Sequence, residues 1–335
     1  MHGRRTMRRG LVTGVATTLA LTLAACGGNL GNDAGSEEEF PSGPVTMLIG
    51  QDPGGSTDLI GRAIAEQASD TLGVPITVQN RPGANGALAA KELASAEADG
   101  QTVMVFVGSL AYITPLAVAP DEAVDINDYA VVTGISQDDY VLVSSPAKGF
   151  RTVQDIVAAK RQITFGTTGV GTGSQLCQEL LFAQSGVQAT AVPFDGGSPT
   201  LTAVLGGQVD VGAVQLGEAQ EQIKAGKLTP IVTFAEKRPS YLPDTPTAIE
   251  AGYDVPVQQS RAIVAPKGTP QPVLDELKAA VTSAFGSQEY KDFNTQRLLT
   301  PNEVAGPALL EQWNTSLTTY RGMVEKYGIQ LGEDS

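Results

Sequence analysis

Short apolar runs alternate with amphipathic stretches along most of the chain, which is the pattern of an α/β protein. Residues 45–49 form the first apolar run, and the stretch after residue 56 repeats its apolar positions at helical spacing. Further runs at 74–78 and 103–107 predict a second and a third strand, separated by a helix at 87–96. This β–α–β–α–β order predicts parallel strands joined by right-handed crossovers.

The same alternation continues through the second half of the chain and ends in a helical tail. The strands predicted there are 129–134, 140–144, 163–165, 191–197 with its closing turn, 209–214, 231–234 and 261–266. The helices predicted there are 151–160, the stretch after residue 174, 198–205, a stretch through residue 223, 272–285, 288–296 and 306–327. Trp313 lies in the last helix and is interpreted as a packing residue.

A glycine-rich loop at residues 50–58, the first glycine loop, connects the first strand to the first helix. Pro53 and two adjacent glycines allow a sharp turn, and Ser56 or Thr57 is expected to cap the helix. The free N–H groups and the positive dipole end at a helix N-terminus accept phosphate, sulfate or carboxylate without a basic side chain. An ordinary strand-to-helix connection is the alternative, and the loop alone does not decide between the two.

The second glycine loop, residues 166–174, also lies between a strand and a helix. Thr172 and Gln175 have the spacing of a capping box, so this loop also predicts a helix N-terminus that could accept an anion. Cys177 follows on the apolar side of that helix. Because the chain offers no base to activate its thiol, we interpret Cys177 as a buried structural residue.

The N-terminus has the pattern of a secretory signal, with a basic head of four arginines, an apolar run at 11–25 and small residues at its end. This run is shorter than the roughly 20 apolar residues that span a membrane. Cys26 directly follows Leu-Ala-Ala, which resembles a bacterial lipobox and predicts a signal peptide at 1–25 and lipidation of Cys26. A plain signal peptide with an incidental cysteine is the alternative. Residues 26–43 are rich in Gly, Asn, Ser and Glu and are predicted to be a flexible linker.

Charge and composition exclude several classes of function. The formal net charge is −14, and removal of the leader arginines makes it more negative, which argues against nucleic-acid binding. The single histidine, His2, lies in the leader, so the rest of the chain has no histidine for catalysis or metal binding. The sequence contains neither a Gly-x-Ser-x-Gly elbow nor a Gly-x-x-x-x-Gly-Lys-Ser/Thr loop. We therefore expect no catalytic centre, no metal site and no cofactor.

Several short motifs follow one another in a fixed order over nearly the whole chain after the leader. They are DPGGSTD at 52–58 with GR at 61–62, NRPGANG at 80–86, VPF at 192–194 with GG at 196–197, LGGQVD at 205–210, AGKL at 225–228, LPDTPT at 242–247, EAGY at 250–253 and APKGTP at 265–270. Each motif is weak alone. Together they resemble the extracytoplasmic solute receptors of the tripartite tricarboxylate transporter, also called Bug receptors.

The resemblance implies a two-lobed periplasmic-binding-protein fold of the type II kind. Each lobe would be a mostly parallel sheet flanked by helices, and crossover strands would join the two. The chain length is sufficient for two lobes of ordinary size. On this basis we expect lobe 1 to comprise residues 44–141 and 262–335, and lobe 2 to comprise residues 142–261.

The resemblance also implies a ligand site built from both glycine loops. The residues that it places there are Gly54, Gly55, Ser56, Thr57 and Asp58 from the first loop, Thr167, Thr168, Gly169, Thr172, Gly173 and Ser174 from the second, and Ser109, Phe194, Asp195 and Gln215 at strand ends. Gly50 and Gln51 stand where many members have a Pro-aromatic pair. Gln51 is therefore expected to contact the ligand and to bear on which acid is bound.

The function implied is that of a monomeric, lipid-anchored receptor on the outer face of the cytoplasmic membrane. It would bind a di- or tricarboxylate and deliver it to the membrane permease subunits of a tripartite tricarboxylate transporter. One alternative is a sensory receptor that presents the same ligand to a signalling partner. Another is an enzyme acting on a similar anion, with Asp58, Asp195 or Glu218 as base, but no histidine, metal cluster or nucleotide loop supports it.

Overall fold

The first three strands of the chain are parallel, as the β–α–β–α–β pattern predicts, and the first of them lies between the other two. A computed structural model describes residues 40–332. The elements of this part are β1 (Val45–Ile49), α1 (Ser56–Leu72), β2 (Ile76–Asn80), α2 (Ala87–Ala94), β3 (Thr102–Val107) and α3 (Ser109–Tyr112). Helical crossovers connect the three strands, and the carboxyl ends of β1 and β3 lead directly into the first glycine loop and Ser109.

A second set of three parallel strands follows, and the first of them in chain order lies between the other two. Its elements are α4 (Val153–Ala158), β5 (Ile163–Thr167), α5 (Gly173–Ser185), β6 (Ala189–Pro193), α6 (Gly197–Leu205), β7 (Val211–Gln215) and α7 (Leu216–Lys224). The second glycine loop joins β5 to α5, so it occupies the place in this set that the first loop occupies in the other.

One long strand, β4 (Tyr129–Ser144), connects the two parallel sets, and the prediction of two separate strands at 129–134 and 140–144 is wrong. β4 pairs antiparallel with β7, with β8 (Thr229–Thr233) and with β9 (Gln258–Pro266). The polar residues in its middle resemble a break in the sequence pattern. Most of them are buried within the strand, because side chains of β9 form hydrogen bonds with them. Gln258 Nε2, for example, donates to Asp139 Oδ1 at 2.6 Å.

The predicted α/β class is confirmed, with parallel strand sets and crossover strands in a single nine-stranded mixed sheet. β3 also pairs antiparallel with β9, which completes the path across the sheet. By their contacts the described residues form one compact unit, so the bounds of two lobes stay a prediction.

The tail consists of α8 (Gln271–Gly286), α9 (Gln288–Arg297) and α10 (Gly306–Tyr327). Trp313 on α10 is 2% exposed, stacks on Phe106 with ring centroids 5.7 Å apart and donates from Nε1 to Ser260 Oγ at 3.0 Å. Its predicted packing role is therefore confirmed, and truncation to alanine is expected to cost about 3–5 kcal/mol. Cys177 is fully buried, as predicted, and burial raises the pKa of its thiol well above the ordinary value.

Within residues 40–332, no helix is both long enough and apolar enough to cross a bilayer. The predicted signal peptide, Cys26 and most of the predicted linker lie outside the described residues. Cleavage and lipidation therefore stay predictions.

Candidate ligand-binding site

The first glycine loop opens α1 without a side-chain cap. Gly55 is the N-cap, in extended backbone, and it has no side chain that could accept a hydrogen bond from the first turn. The prediction that Ser56 or Thr57 caps the helix is wrong because both hydroxyls face Arg261. Arg261 Nε donates to Thr57 Oγ1 at 3.0 Å, and Nη2 donates to Ser56 Oγ at 3.3 Å.

Asp58 holds the shape of the first loop from inside. Its side chain is 2% exposed and accepts from Gly54 N at 2.9 Å, from Arg62 Nε at 3.0 Å and from Asn80 Nδ2 at 2.9 Å. Burial alone would raise the pKa of Asp58, but the hydrogen bonds from Arg62, Gly54 and Asn80 outweigh it and lower the pKa. The carboxylate is already bound to groups of the chain, so it supports the loop.

Arg261 on β9 is a buried cation directly behind the first loop, and reasoning from the sequence missed it. The residue is 1% exposed and forms an ion pair with Asp138 of β4, while Nη1 also donates to Ser136 Oγ at 3.3 Å. Burial raises the pKa of Asp138, and the charge of Arg261 opposes that rise. A single arginine at the start of an apolar run was the only available signal.

The second glycine loop opens α5 with the predicted cap. Thr172 Oγ1 accepts from Gln175 N at 3.2 Å. The reciprocal half of the capping box differs, because Gln175 Oε1 accepts from Gly171 N at 2.9 Å and not from Thr172. Gly173 must be glycine here, since a Cβ atom would lie 2.7 Å from the ring of Tyr140.

The hydroxyls of Thr172 and Ser174 bind backbone groups in and around the second loop. Thr172 Oγ1 donates to the carbonyl oxygen of Gly169 at 2.8 Å. Ser174 Oγ accepts from Thr168 N at 3.1 Å and donates to Ala213 O at 2.6 Å. Within the part of the chain that the structure describes, no acceptor binds the N–H of Gly173 or Ser174. The second loop therefore offers main-chain groups and keeps its hydroxyls for its own fold.

A chain of side chains joins the two loops. Gln51 Nε2 donates to Asn85 O at 3.2 Å, and Asn85 Nδ2 donates to Ser109 Oγ at 3.2 Å and to Thr114 Oγ1 at 3.4 Å. Thr114 Oγ1 in turn donates to the carbonyl oxygen of Gly171 at 3.1 Å. Sequence reasoning missed Asn85 and Thr114 as site residues. Asn85, with φ of 56°, directly precedes the last glycine of the NRPGANG motif, and that context was the available signal.

Two predicted site residues carry amide oxygens that are buried without a hydrogen-bond partner, Oε1 of Gln51 and Oε1 of Gln215. An unpaired buried oxygen costs about 1–3 kcal/mol, which a water molecule or a ligand hydroxyl recovers by donating a hydrogen bond to it. Phe194 lies against the second loop, and its N–H donates to Thr167 O at 3.0 Å. Asp195 is exposed, and no hydrogen bond or ion pair ties it to the other site residues.

Glu218 lies at the same place, although the sequence suggested it only as a possible base. The backbone N–H groups of Ser56 and Gln215 interact with its carboxylate. Burial is the largest influence and raises the pKa of Glu218, while Arg261 and the two amides oppose that rise. The structure therefore brings together the start of α1, the second loop, Gln215 and a buried Arg261–Asp138 pair.

Two grooves lie elsewhere, along α10, with volumes of about 550 and 600 Å³. The larger groove is lined by Tyr112, Gln137, Trp313 and Tyr320 among others, and neither groove is lined by a residue of the glycine loops. Among residues 40–332, no cluster of acidic, cysteine or histidine side chains is arranged to hold a metal ion.

The sequence model of one protein family, described as the tripartite tricarboxylate transporter family receptor, matches residues 60–307. The chain belongs to this family. A protein of the TAR-I ttuE-ttuC' intergenic region of Agrobacterium vitis is 32% identical to the receptor over 83% of this chain and 82% of its own. BugT of Bordetella pertussis is 28% identical over 76% and 79%. MatC from Rhodopseudomonas palustris, solved with bound malate, is 28% identical with a TM-score of 0.78, covering 85% of the receptor and all of its own chain.

Proposed function

We propose that the receptor binds a small di- or tricarboxylate between its two glycine loops and delivers it to the permease subunits of a tripartite tricarboxylate transporter. The observation that carries this proposal is the N-terminus of α1, which has a glycine as N-cap, is backed by buried Arg261 and is linked to the second loop through Gln51, Asn85 and Thr114. The bound malate of MatC supports a carboxylate as the class of ligand.

The chemistry of the site favours a carboxylate for local reasons. The whole chain repels anions, with a formal charge of −14. Backbone N–H groups at the starts of α1 and α5 nevertheless attract an anion at short range, and the dipoles of these helices add to the attraction. The hydroxyls of Ser56 and Thr57 already accept from Arg261, so their own protons are free to be donated to the ligand.

Closure of two lobes is the proposed means of capture. β4 and β9 run continuously between the two parallel strand sets and would act as the crossover between the lobes. Lobe 1 would comprise residues 44–141 and 262–335, and lobe 2 would comprise residues 142–261. A ligand that contacts both glycine loops favours the closed arrangement by its differential affinity for it. Export, cleavage after residue 25 and a lipid anchor at Cys26 complete the proposal, and these rest on the sequence pattern.

A sensory receptor would use the same site and present the same closed surface to a signalling partner. Family membership favours transport, since the family is that of transporter receptors. The matching family is described as one of transporter receptors, which supports binding without catalysis, and Asp58, one of the bases considered, is engaged in holding its loop.

A thermal-shift and calorimetric screen tests the proposal. Malate, succinate, citrate, aspartate and benzoate are titrated separately into the receptor that lacks residues 1–25. An acid that binds the folded receptor stabilises it by mass action and raises the melting temperature. At a free acid concentration of a hundred times its Kd, the gain in unfolding free energy is about 2.7 kcal/mol. Thr57→Val should reduce the response at a given acid concentration, whereas Thr318→Val, an exposed threonine of α10, should leave it unchanged. A panel in which no carboxylate binds would contradict the proposal.

A further inference from the structure

The carboxylate of Glu218 lies where three helices begin. Glu218 is in the first turn of α7, and the N–H groups of Ser56, the first residue of α1, and Gln215, the N-cap of α7, interact with it. A Cβ atom placed on Gly197, the first residue of α6, would lie 1.9 Å from Glu218 Oε2. A side-chain anion therefore occupies the position that converging helix N-termini offer to a ligand anion.

Helix α7 carries Glu218 to this position from the far side of the predicted boundary between lobes. Gly217 lies against the end of α9, where a Cβ atom would be 1.9 Å from the carbonyl oxygen of Arg297. Gln220 Nε2 donates to Gln296 O at 2.5 Å on the same helix end. Because α9 belongs to predicted lobe 1 and α7 to predicted lobe 2, the contact of Glu218 with Ser56 joins the two lobes.

The charged groups that act on Glu218 are Arg261 from β9 and Asp138 from β4. Arg261 stabilises the ionised form of Glu218, and Asp138 opposes it. Helix α6 contributes no titratable side chain, and Asp58 on α1 is already bound by Arg62. One buried guanidinium thus faces two carboxylates, and a ligand carboxylate at the start of α1 would be a third.

We propose that Glu218 is an internal stand-in for the ligand's carboxylate. Its side chain bridges α1 and α7 when no ligand is bound, and a ligand carboxylate displaces it from the N–H of Ser56. This inference rests on the proposed function, because it concerns the same site. A Glu218 that stays in place and accepts a hydrogen bond from the ligand is the competing role, and the two roles predict opposite changes in affinity on substitution.

Calorimetric titration of Glu218→Gln with malate, succinate and citrate separates the two roles. Glutamine keeps the length of the side chain and can still reach back to the N–H of Gln215, so the start of α7 is preserved. Loss of the competing charge should tighten binding about tenfold, which corresponds to about 1.4 kcal/mol. Glu221→Gln is the matched control on the same helix, since Glu221 is exposed and, within residues 40–332, pairs only with Lys224. This variant should bind the acids with the affinity of the wild type.

A second readout without ligand keeps the test independent of the proposed function. If Glu218 joins the two lobes, Glu218→Ala should increase the radius of gyration measured by small-angle X-ray scattering, and Glu221→Ala should not. Weaker or unchanged acid binding by Glu218→Gln would overturn the stand-in role. If the wild type binds none of the acids, the proposed function fails, and an unchanged radius of gyration for Glu218→Ala would then overturn the inference separately.

Discussion

The two glycine loops resemble each other in sequence and in position, but they use their polar groups differently. The first loop has a bare glycine as N-cap, and its hydroxyls accept from a buried guanidinium. The second loop has a threonine N-cap, and the hydroxyls of Thr172 and Ser174 bind backbone groups of the loop, of α5 and of β7. A glycine turn before a helix therefore does not by itself define a binding loop. What distinguishes the first loop is the charge placed behind it by distant strands.

The largest expected effect tests the charge behind the first loop. Arg261→Met leaves Asp138 buried without its ion-pair partner, which should cost about 3–5 kcal/mol of unfolding free energy. Arg161→Met is the matched control. Arg161 is 48% exposed, and its partner Asp210 keeps Lys148 at 3.0 Å, so we expect a loss of only about 1 kcal/mol. Urea unfolding of both variants measures the two values, and equal losses would contradict the difference between the loops.

The next effect tests the tight fit of the second loop. Gly173→Ala should destabilise the receptor by about 1–3 kcal/mol, because the new methyl group meets the buried ring of Tyr140. Gly322→Ala on α10 is the control, since no atom lies within 4 Å of the added carbon and alanine favours a helix. It should leave stability unchanged or raise it. Thermal unfolding of the pair decides, and a harmless Gly173→Ala would show that the second loop is looser than its contacts indicate.

A pair of threonine substitutions should separate binding from stability. Thr57→Val in the first loop removes a hydroxyl at the proposed ligand position and should weaken carboxylate binding about tenfold, about 1.4 kcal/mol. Thr172→Val in the second loop removes the helix cap and should lower stability by about 1 kcal/mol with a smaller change in affinity. Calorimetry and thermal unfolding on both variants give four numbers. Equal effects on affinity would remove the distinction between the loops.

The smallest effect is a dependence on pH that only the first loop should show. Its Asp58 has a lowered pKa in the folded protein, so its stabilisation is present above the unfolded pKa of about 3.9 and is lost as the pH falls through the lower folded value. The stability advantage of the wild type over Asp58→Asn should therefore shrink as the pH falls below about 4. Melting temperatures of both proteins across this range measure the difference, and a constant gap would contradict the role given to Asp58.

Local sequence patterns predicted most of the fold, because apolar spacing and glycine turns are properties of neighbouring residues. α10 begins and ends where its pattern indicated, and both glycine loops open helices. The errors arise where contacts between residues far apart in the chain determine the bounds of a strand or the composition of the site. β4 is one strand because Arg261 and Gln258 satisfy its polar middle. Arg261, Thr114 and Glu218 reach the site only through contacts between segments far apart in the chain, which a single sequence does not reveal.

The most direct test of the account is a titration of the isotope-labelled receptor with malate or citrate, followed by backbone amide NMR. If the acid binds between the loops, the amides of Ser56 and Thr57 and those of Gly173 and Ser174 should shift together with one Kd. Residues of the α10 grooves, such as Thr315 and Thr319, should stay unchanged. Binding that shifts the α10 residues and leaves both loops unchanged would contradict the account.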